Sequence, residues 1–160
     1  MGRKYSVPYS GTITNAGGDT DLLELLPAAN KPCKLLGFIL GQTSEVGDTA
    51  EESLRLSILR LPATITSGSG GSSVTPTPMS SADTASGATA ECNNTTVATT
   101  SSSAVTVAEL AWNVRSSPFD FWFPPDLAPK AINGEGLFVR LQTTVADDVS
   151  FCGTFFFEEE

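Results

Sequence analysis

Few residues in this chain have the types and spacing that do chemistry. Gly68-Ser69-Gly70-Gly71 invites a phosphate-loop reading, but that loop needs a G-x-x-x-x-G-K-[ST] run between a strand and a helix, and both the lysine and the helical pattern are missing. The run reads as a flexible loop. Glu45, Asp48, Glu51 and Glu52, and separately Asp147 and Asp148, carry the oxygen ligands that calcium takes. Neither stretch has the spaced acidic pattern and central glycine of a calcium loop, so both read as solvated acidic segments. A serine nucleophile needs a base, and with no histidine in the chain that role falls to a lysine made less basic by burial. Lys31 and Lys34 flank a proline turn with no G-x-S-x-G neighbour. Any two of the eighteen Asp and Glu residues could meet as a glycosidase pair, and nothing in their spacing singles one out. Lack of histidine also removes His triads, His metal sites and imidazole pH switching. Cys33, Cys92 and Cys152 form no C-x-x-C pair, which argues against a zinc site or a disulfide framework. Cys33 and Cys152 lie in apolar strand-like runs and read as small buried hydrophobes. These residues predict no enzyme, no metal and no cofactor.

The elements that must position the remaining side chains are β-strands. Ser, Thr, Gly and Pro make up 61 of the 160 residues while Asp, Glu, Lys and Arg are only 17%, a composition poor in helix formers. One domain with one core is expected at this length. Nine basic against eighteen acidic residues leave a formal charge of −9, opposite to the field that draws proteins onto phosphate backbones, so no nucleic-acid partner is predicted. The start, Met1-Gly2-Arg3-Lys4-Tyr5-Ser6-Val7-Pro8, lacks the apolar stretch of a signal peptide. No apolar run reaches the roughly 18 residues that span a bilayer, and no membrane association is expected. Gly2 meets a myristoylation pattern only formally, and without a secretory signal Asn93-Asn94-Thr95-Thr96 reads as polar loop rather than as a glycan acceptor.

Apolar residues recur at period two between turn clusters, and no segment holds a helical period for three turns. The first strand is expected over residues 5–14, followed at Asn15-Ala16-Gly17-Gly18-Asp19 by a hairpin-like reversal. Residues 21–26 run to Pro27, and residues 33–40 read as a central strand. Ser53-Leu54-Arg55-Leu56-Ser57-Ile58 alternates, turning Arg55 and Ser57 from the core. Residues 66–87 are too polar and too broken by proline for a core element and read as a long exposed loop, a preferred place for contacts. Further strands are expected at 88–92, at 103–114 with Val105, Val107, Leu110 and Trp112 inward past a bulge, around Phe119–Phe123, after the Asn133-Gly134 turn, and at 149–157. About eight strands in this pattern fit an all-β, two-sheet β-sandwich of jelly-roll type better than an up-and-down barrel. Residues 1–8 read as an extended N-terminal arm and 9–160 as the single sandwich domain.

In Phe119-Asp120-Phe121-Trp122-Phe123, alternation puts Phe119, Phe121 and Phe123 on one face and Asp120 and Trp122 on the other. An outward Trp beside two prolines reads as an interface anchor, and the aromatic rings of Phe155-Phe156-Phe157 fall on both faces of their strand. Candidate interface residues are therefore Arg3, Lys4 and Tyr5 of the arm with Phe119, Phe121, Trp122 and Phe123. A homo-oligomer, most simply a trimer, follows from burying these patches. Trp112 with Trp122 could alternatively form the aromatic platform of a carbohydrate-binding module.

The run Leu36-Gly37-Phe38-Ile39-Leu40-Gly41-Gln42, the segment Glu51-Glu52-Ser53-Leu54-Arg55-Leu56, the Gly68-Ser69-Gly70-Gly71 loop, Asn93-Asn94-Thr95-Thr96 and the closing Gly153-Thr154-Phe155-Phe156-Phe157-Glu158-Glu159 resemble a family of small structural proteins of tailed bacteriophages. The resemblance implies a jelly-roll capsid decoration protein, often trimeric, that binds the head shell, its partners being the phage major capsid protein or neighbouring virion proteins. It implies a virion location after synthesis in the host bacterial cytoplasm, and it carries no catalytic residues. Other phage structural roles, at a head fibre base, neck or tail, are the alternative.

Overall fold

The computed structural model describes residues 2–43, 51–116 and 118–160, and among these none is helical. One sheet is built from β1 (Arg3–Ile13), β3 (Cys33–Gln42), β7 (Thr77–Pro78), β11 (Phe119–Trp122) and β14 (Val149–Glu159), in the order β11-β3-β14-β1-β7, with β12 (Lys130–Ala131) also on β3. The other holds β2 (Thr20–Leu26), β4 (Ser53–Leu61), β6 (Ser72–Val74), β8 (Thr89–Cys92), β10 (Val105–Asn113) and β13 (Gly136–Leu141), in the order β10-β4-β13-β2-β8-β6. β5 (Ile65–Thr66) and β9 (Thr99–Thr100) form a separate pair. The fold is all-β, and its strands pair antiparallel. Among the described residues fourteen strands stand where about eight were expected, because five of them have only two or three residues and carry no sequence period.

Inward residues of both sheets meet in one core. Tyr5, Val7, Phe38, Leu40, Phe155 and Phe157 come from the first sheet, and Leu22, Leu25, Leu54, Leu56, Ile58 and Val139 from the second. Alternation accounts for most of this: in β14, Phe151, Phe155 and Phe157 are buried while Cys152 between them is exposed. Cys152 is thus not the buried hydrophobe expected of it. Cys33 and Cys92 are buried, and desolvation pushes both thiols up to about 12, which leaves them protonated and inert at neutral pH.

Residues 3–8 are not an arm. They are the first half of β1, paired residue for residue with β14 from Arg3 opposite Glu159 to Ile13 opposite Val149. Two apolar residues, Tyr5 and Val7, hold them there at 0% exposure. The expected hairpin after β1 is also absent, since β1 and β2 lie in different sheets and the glycine-rich turn carries the chain between them.

The segment 66–87 is mostly exposed, as expected, but short stretches of it are fixed as strands. β6 adds to β8 on one sheet and β7 adds to β1 on the other, so this segment closes the same side of both sheets. Its neighbours fold back over the outer face of the second sheet, where Leu59, Leu61, Ala98 and Phe138 form a small second core with Ile65 against it. Backbone bonds tie Ser69 to Thr96 in both directions, at 2.9 and 3.0 Å. Gly70 has φ +88, and a Cβ on Gly71 would lie 2.2 Å from the Cys92 carbonyl oxygen. The Gly68–Gly71 run is there for close packing.

Two carboxylates hold this roof. Glu24, 1% exposed, accepts hydrogen bonds from the Ser67 hydroxyl at 2.6 Å, the Gly68 amide at 3.0 Å and Asn94 Nδ2 at 3.1 Å. Asp21, fully buried, accepts from Arg140 Nε at 2.6 Å, Arg140 Nη2 at 3.0 Å and the Ala98 amide at 2.8 Å. Burial raises the Asp21 carboxyl, and the Arg140 fork and Ala98 amide pull it partly back.

The closing glutamates are similarly engaged. Glu158 accepts from the Gly2 amide at 2.8 Å. Glu159, 5% exposed, accepts from Lys31 Nζ at 3.0 Å, Ser86 Oγ at 2.9 Å and the amides of Gly87 at 2.8 Å and Ala88 at 3.1 Å. Burial pushes the Glu159 carboxyl up, but these donors outweigh it and its pKa lies below the ordinary value. Glu160, bound by Lys130 and by Lys34, falls from 4.5 to about 2. A folded pKa below the unfolded one means that each group stabilises the fold fully above its unfolded value and loses that contribution as pH falls through the folded value. The urea midpoint is therefore expected to hold down to about pH 5 and to fall as pH drops from 4.5 towards 2. Asp21, raised, acts in the opposite sense. Glu159→Gln should flatten part of the fall, and a midpoint level across this range would overturn the assignment.

Candidate functional site

The structure does not gather the residues that invited chemistry. Glu45 and Asp48 lie outside the described residues. Glu51 accepts from Asn113 Nδ2 at 2.8 Å, Glu52 from the Ala146 amide at 2.8 Å and Asp148 from the Asn15 amide at 2.8 Å. Among the described residues no group of three or more His, Cys, Asp or Glu could hold a metal ion. Lys34 is pushed up by its bond to Glu160, the opposite of what a lysine base requires. Among the described residues no helix is long and apolar enough to cross a membrane.

The candidate interface residues divide into four groups. Tyr5 is buried, its ring stacked on Phe157 at 5.3 Å and its hydroxyl donating to the Thr84 carbonyl at 3.0 Å, so it belongs to the core and not to an interface. Arg3 and Lys4 are exposed, but Arg3 donates to Thr84 Oγ1 at 2.6 Å and lies 3.6 Å from Asp83, which makes it a clasp on the 66–87 segment. Phe119, Phe121 and Phe123 pack at the margin of the core, with Phe119 and Phe121 6.1 and 5.7 Å from the Phe38 ring and Phe123 edge-on to Phe121 at 5.0 Å. Trp122 is left on the outer face, 46% exposed.

That face is the outward side of the first sheet. Trp122 lies opposite Gly37, and Gly37 opposite Phe156, in one row across β11, β3 and β14. The Trp122 and Phe156 rings are 5.0 Å apart at 31°. A Cβ on Gly37 would come within 2.7 Å of the indole and 2.4 Å of the Phe121 carbonyl oxygen, so only glycine lets the indole lie down on the sheet. Next to this ledge is a concavity of about 540 Å³ that includes Pro8, Ile39, Gly41, Pro118, Cys152 and Thr154. None of its lining residues is charged. Trp112 does not share this surface. It is fully buried in β10, opposite Leu54, which removes one half of the two-tryptophan sugar platform.

β10 corrects a second expectation. Its bulge falls at Val107, where the register with β4 slips, but Val105 and Val107 are 42% and 37% exposed rather than inward. β10 is the last strand of its sheet, so these two valines lie on an edge. The residues that sequence reading missed are Asp21, Glu24 and Arg140. Their signal was a charge set within runs otherwise apolar on both faces, which a buried strand tolerates only when the charge is paired.

No protein-family model, no curated protein and no solved structure matches the chain.

Proposed function

We propose that the chain is a virion structural protein of a tailed bacteriophage, acting as a capsid decoration protein that binds and stabilises the head shell. The pairing order carries the proposal. Taking β1, β2, β3, β4, β10, β11, β13 and β14 as principal strands, the first pairs the last, the second the seventh, the third the sixth and the fourth the fifth. These pairs alternate between the two sheets. We read this winding as a jelly roll, an architecture of capsid and lectin domains. Fold alone does not specify function, so the reading draws also on surface chemistry: an uncharged face with an aromatic ledge suits contact between proteins.

In this reading the chain works by binding, as a homo-oligomer seated on the major capsid protein or neighbouring virion proteins. Mass spectrometry and cryo-electron microscopy of purified particles test it. The expected result is density for this chain in regular array on the head, and heads lacking it should rupture at lower temperature. Absence from purified particles, or density confined to the neck or tail, would overturn the decoration role.

A further inference from the structure

We infer that the outer face of the β11-β3-β14-β1 sheet is a self-association surface, on which two copies of this chain pack about a two-fold axis with each copy's Trp122–Phe156 ledge seated in the other's groove. The inference rests on the homo-oligomer of the proposed function and names its contact.

Four observations converge. The two outer sheet faces are treated differently: the chain roofs one with its own residues, through Glu24, Asp21 and the Leu59–Phe138 cluster, and among the described residues nothing covers the other. The uncovered face is nearly uncharged in a chain of net charge −9. Its outward positions Pro8, Ser10, Ile39, Cys152, Thr154 and Phe156 carry no charge, and its charged residues stand at one end, at Lys4, Lys34, Lys130 and Glu158, or on the flank, at Asp120. Two acidic copies approach with least repulsion where neither presents charge. Area is the third observation. Strands of ten or eleven residues, rising ~3.3 Å per residue and ~4.8 Å apart, with short strands at either flank, span roughly 600 Å², which reaches the lower end of what a stable interface takes from each partner.

Shape is the fourth. A two-fold contact needs one patch that is complementary to itself. This face carries a half-exposed aromatic ledge at the row of Gly37 and a groove of about 540 Å³ beginning at Ile39, two residues further along β3. A knob and a hole on the same face satisfy each other when the second copy is turned by half a rotation. The contact therefore makes a dimer of about 33 kDa from a chain of 16.7 kDa, in place of the trimer that the resemblance implies.

Cys152 supplies the readout, because it lies in the groove and is exposed while Cys33 and Cys92 are buried. Light scattering of the purified chain should give the dimer mass. Trp122→Ala and, independently, Pro8→Arg should give monomers and speed maleimide labelling of Cys152 roughly fivefold or more at concentrations above the dimer dissociation constant. Pro8 is exposed and outside the core, so Pro8→Arg keeps the test valid if Trp122→Ala unfolds. Circular dichroism and the urea midpoint check folding in both. A wild-type oligomer whose mass and Cys152 labelling are unchanged by both substitutions would overturn this surface while leaving the homo-oligomer standing. A trimer would overturn the two-fold pairing. A wild-type monomer at high micromolar concentration would overturn the surface and the homo-oligomer together, and occupancy on particles would still decide the decoration role separately.

Discussion

Asp21→Ala is expected to lower the unfolding free energy by about 3–5 kcal/mol, the range for removing one partner of a buried ion pair. The loss has two parts. Arg140, only 12% exposed at its side chain, keeps its charge and loses both bonds of its fork, at 2.6 and 3.0 Å. The Ala98 amide, buried against Asp21 at 2.8 Å, loses its acceptor. Arg140 also donates to the Ala98 carbonyl at 2.9 Å, so the same substitution loosens the roof that Ala98 anchors over Phe138 and Leu59. The urea midpoint should drop, with the slope falling if the roof detaches in the folded state, because less surface is then left to expose on unfolding. The double variant Asp21→Ala/Arg140→Met should lose less than Asp21→Ala alone, because it leaves no unpaired cation in the interior. A single variant within 1 kcal/mol of wild type, on the order of a surface pair, would show that water reaches Arg140 and that the pair is not the anchor described.

Trp112→Ala is expected to cost about 3–5 kcal/mol through the cavity it leaves, and Trp112→Phe less than about 1.5 kcal/mol. Trp112 is among the largest fully buried side chains, packed in the core opposite Leu54. Its indole Nε1 has no hydrogen-bond partner among the described residues, so phenylalanine removes a buried donor along with some volume, and the two effects offset. Thermal and urea unfolding of the two variants measure both figures. The carbohydrate-platform reading predicts the reverse, with sugar affinity changed and stability kept. Equal stability of wild type and Trp112→Ala would sink the core assignment.

The strands were legible where a run was long enough to show its period. β3, β8, β10 and β14 fall within a few residues of their expected places, and Arg55 and Ser57 turn away from the main core, where both donate to Glu109, at 2.8 and 2.7 Å. Alternation in Phe119–Phe123 correctly separated Trp122 from its three phenylalanines, because the side-chain period of a strand is a local property of the backbone. The candidate interface was only partly legible for the same reason. Period two says which face a residue takes and not what covers that face, so Tyr5 was read as part of an arm although its strand is locked against β14.

Composition and alternation over residues 3–13, 33–42 and 149–159 were sufficient for an all-β chain with an aromatic-rich interior, since burial of alternate apolar side chains is decided over four to eight residues at a time. Tertiary contacts decided the rest. Polar Ser-Gly-Gly-Ser and Thr-Pro-Thr-Pro have no local preference for a strand, and they became sheet edges only because β8 and β1 offered backbone partners and Glu24, 44 residues from Gly68, offered a buried acceptor beside them. The exposure of Trp122, the burial of Trp112 and the engagement of all three closing glutamates belong to the same class. Each is set by partners distant in the chain, and loop closure between distant segments leaves no periodic mark on the residues that join.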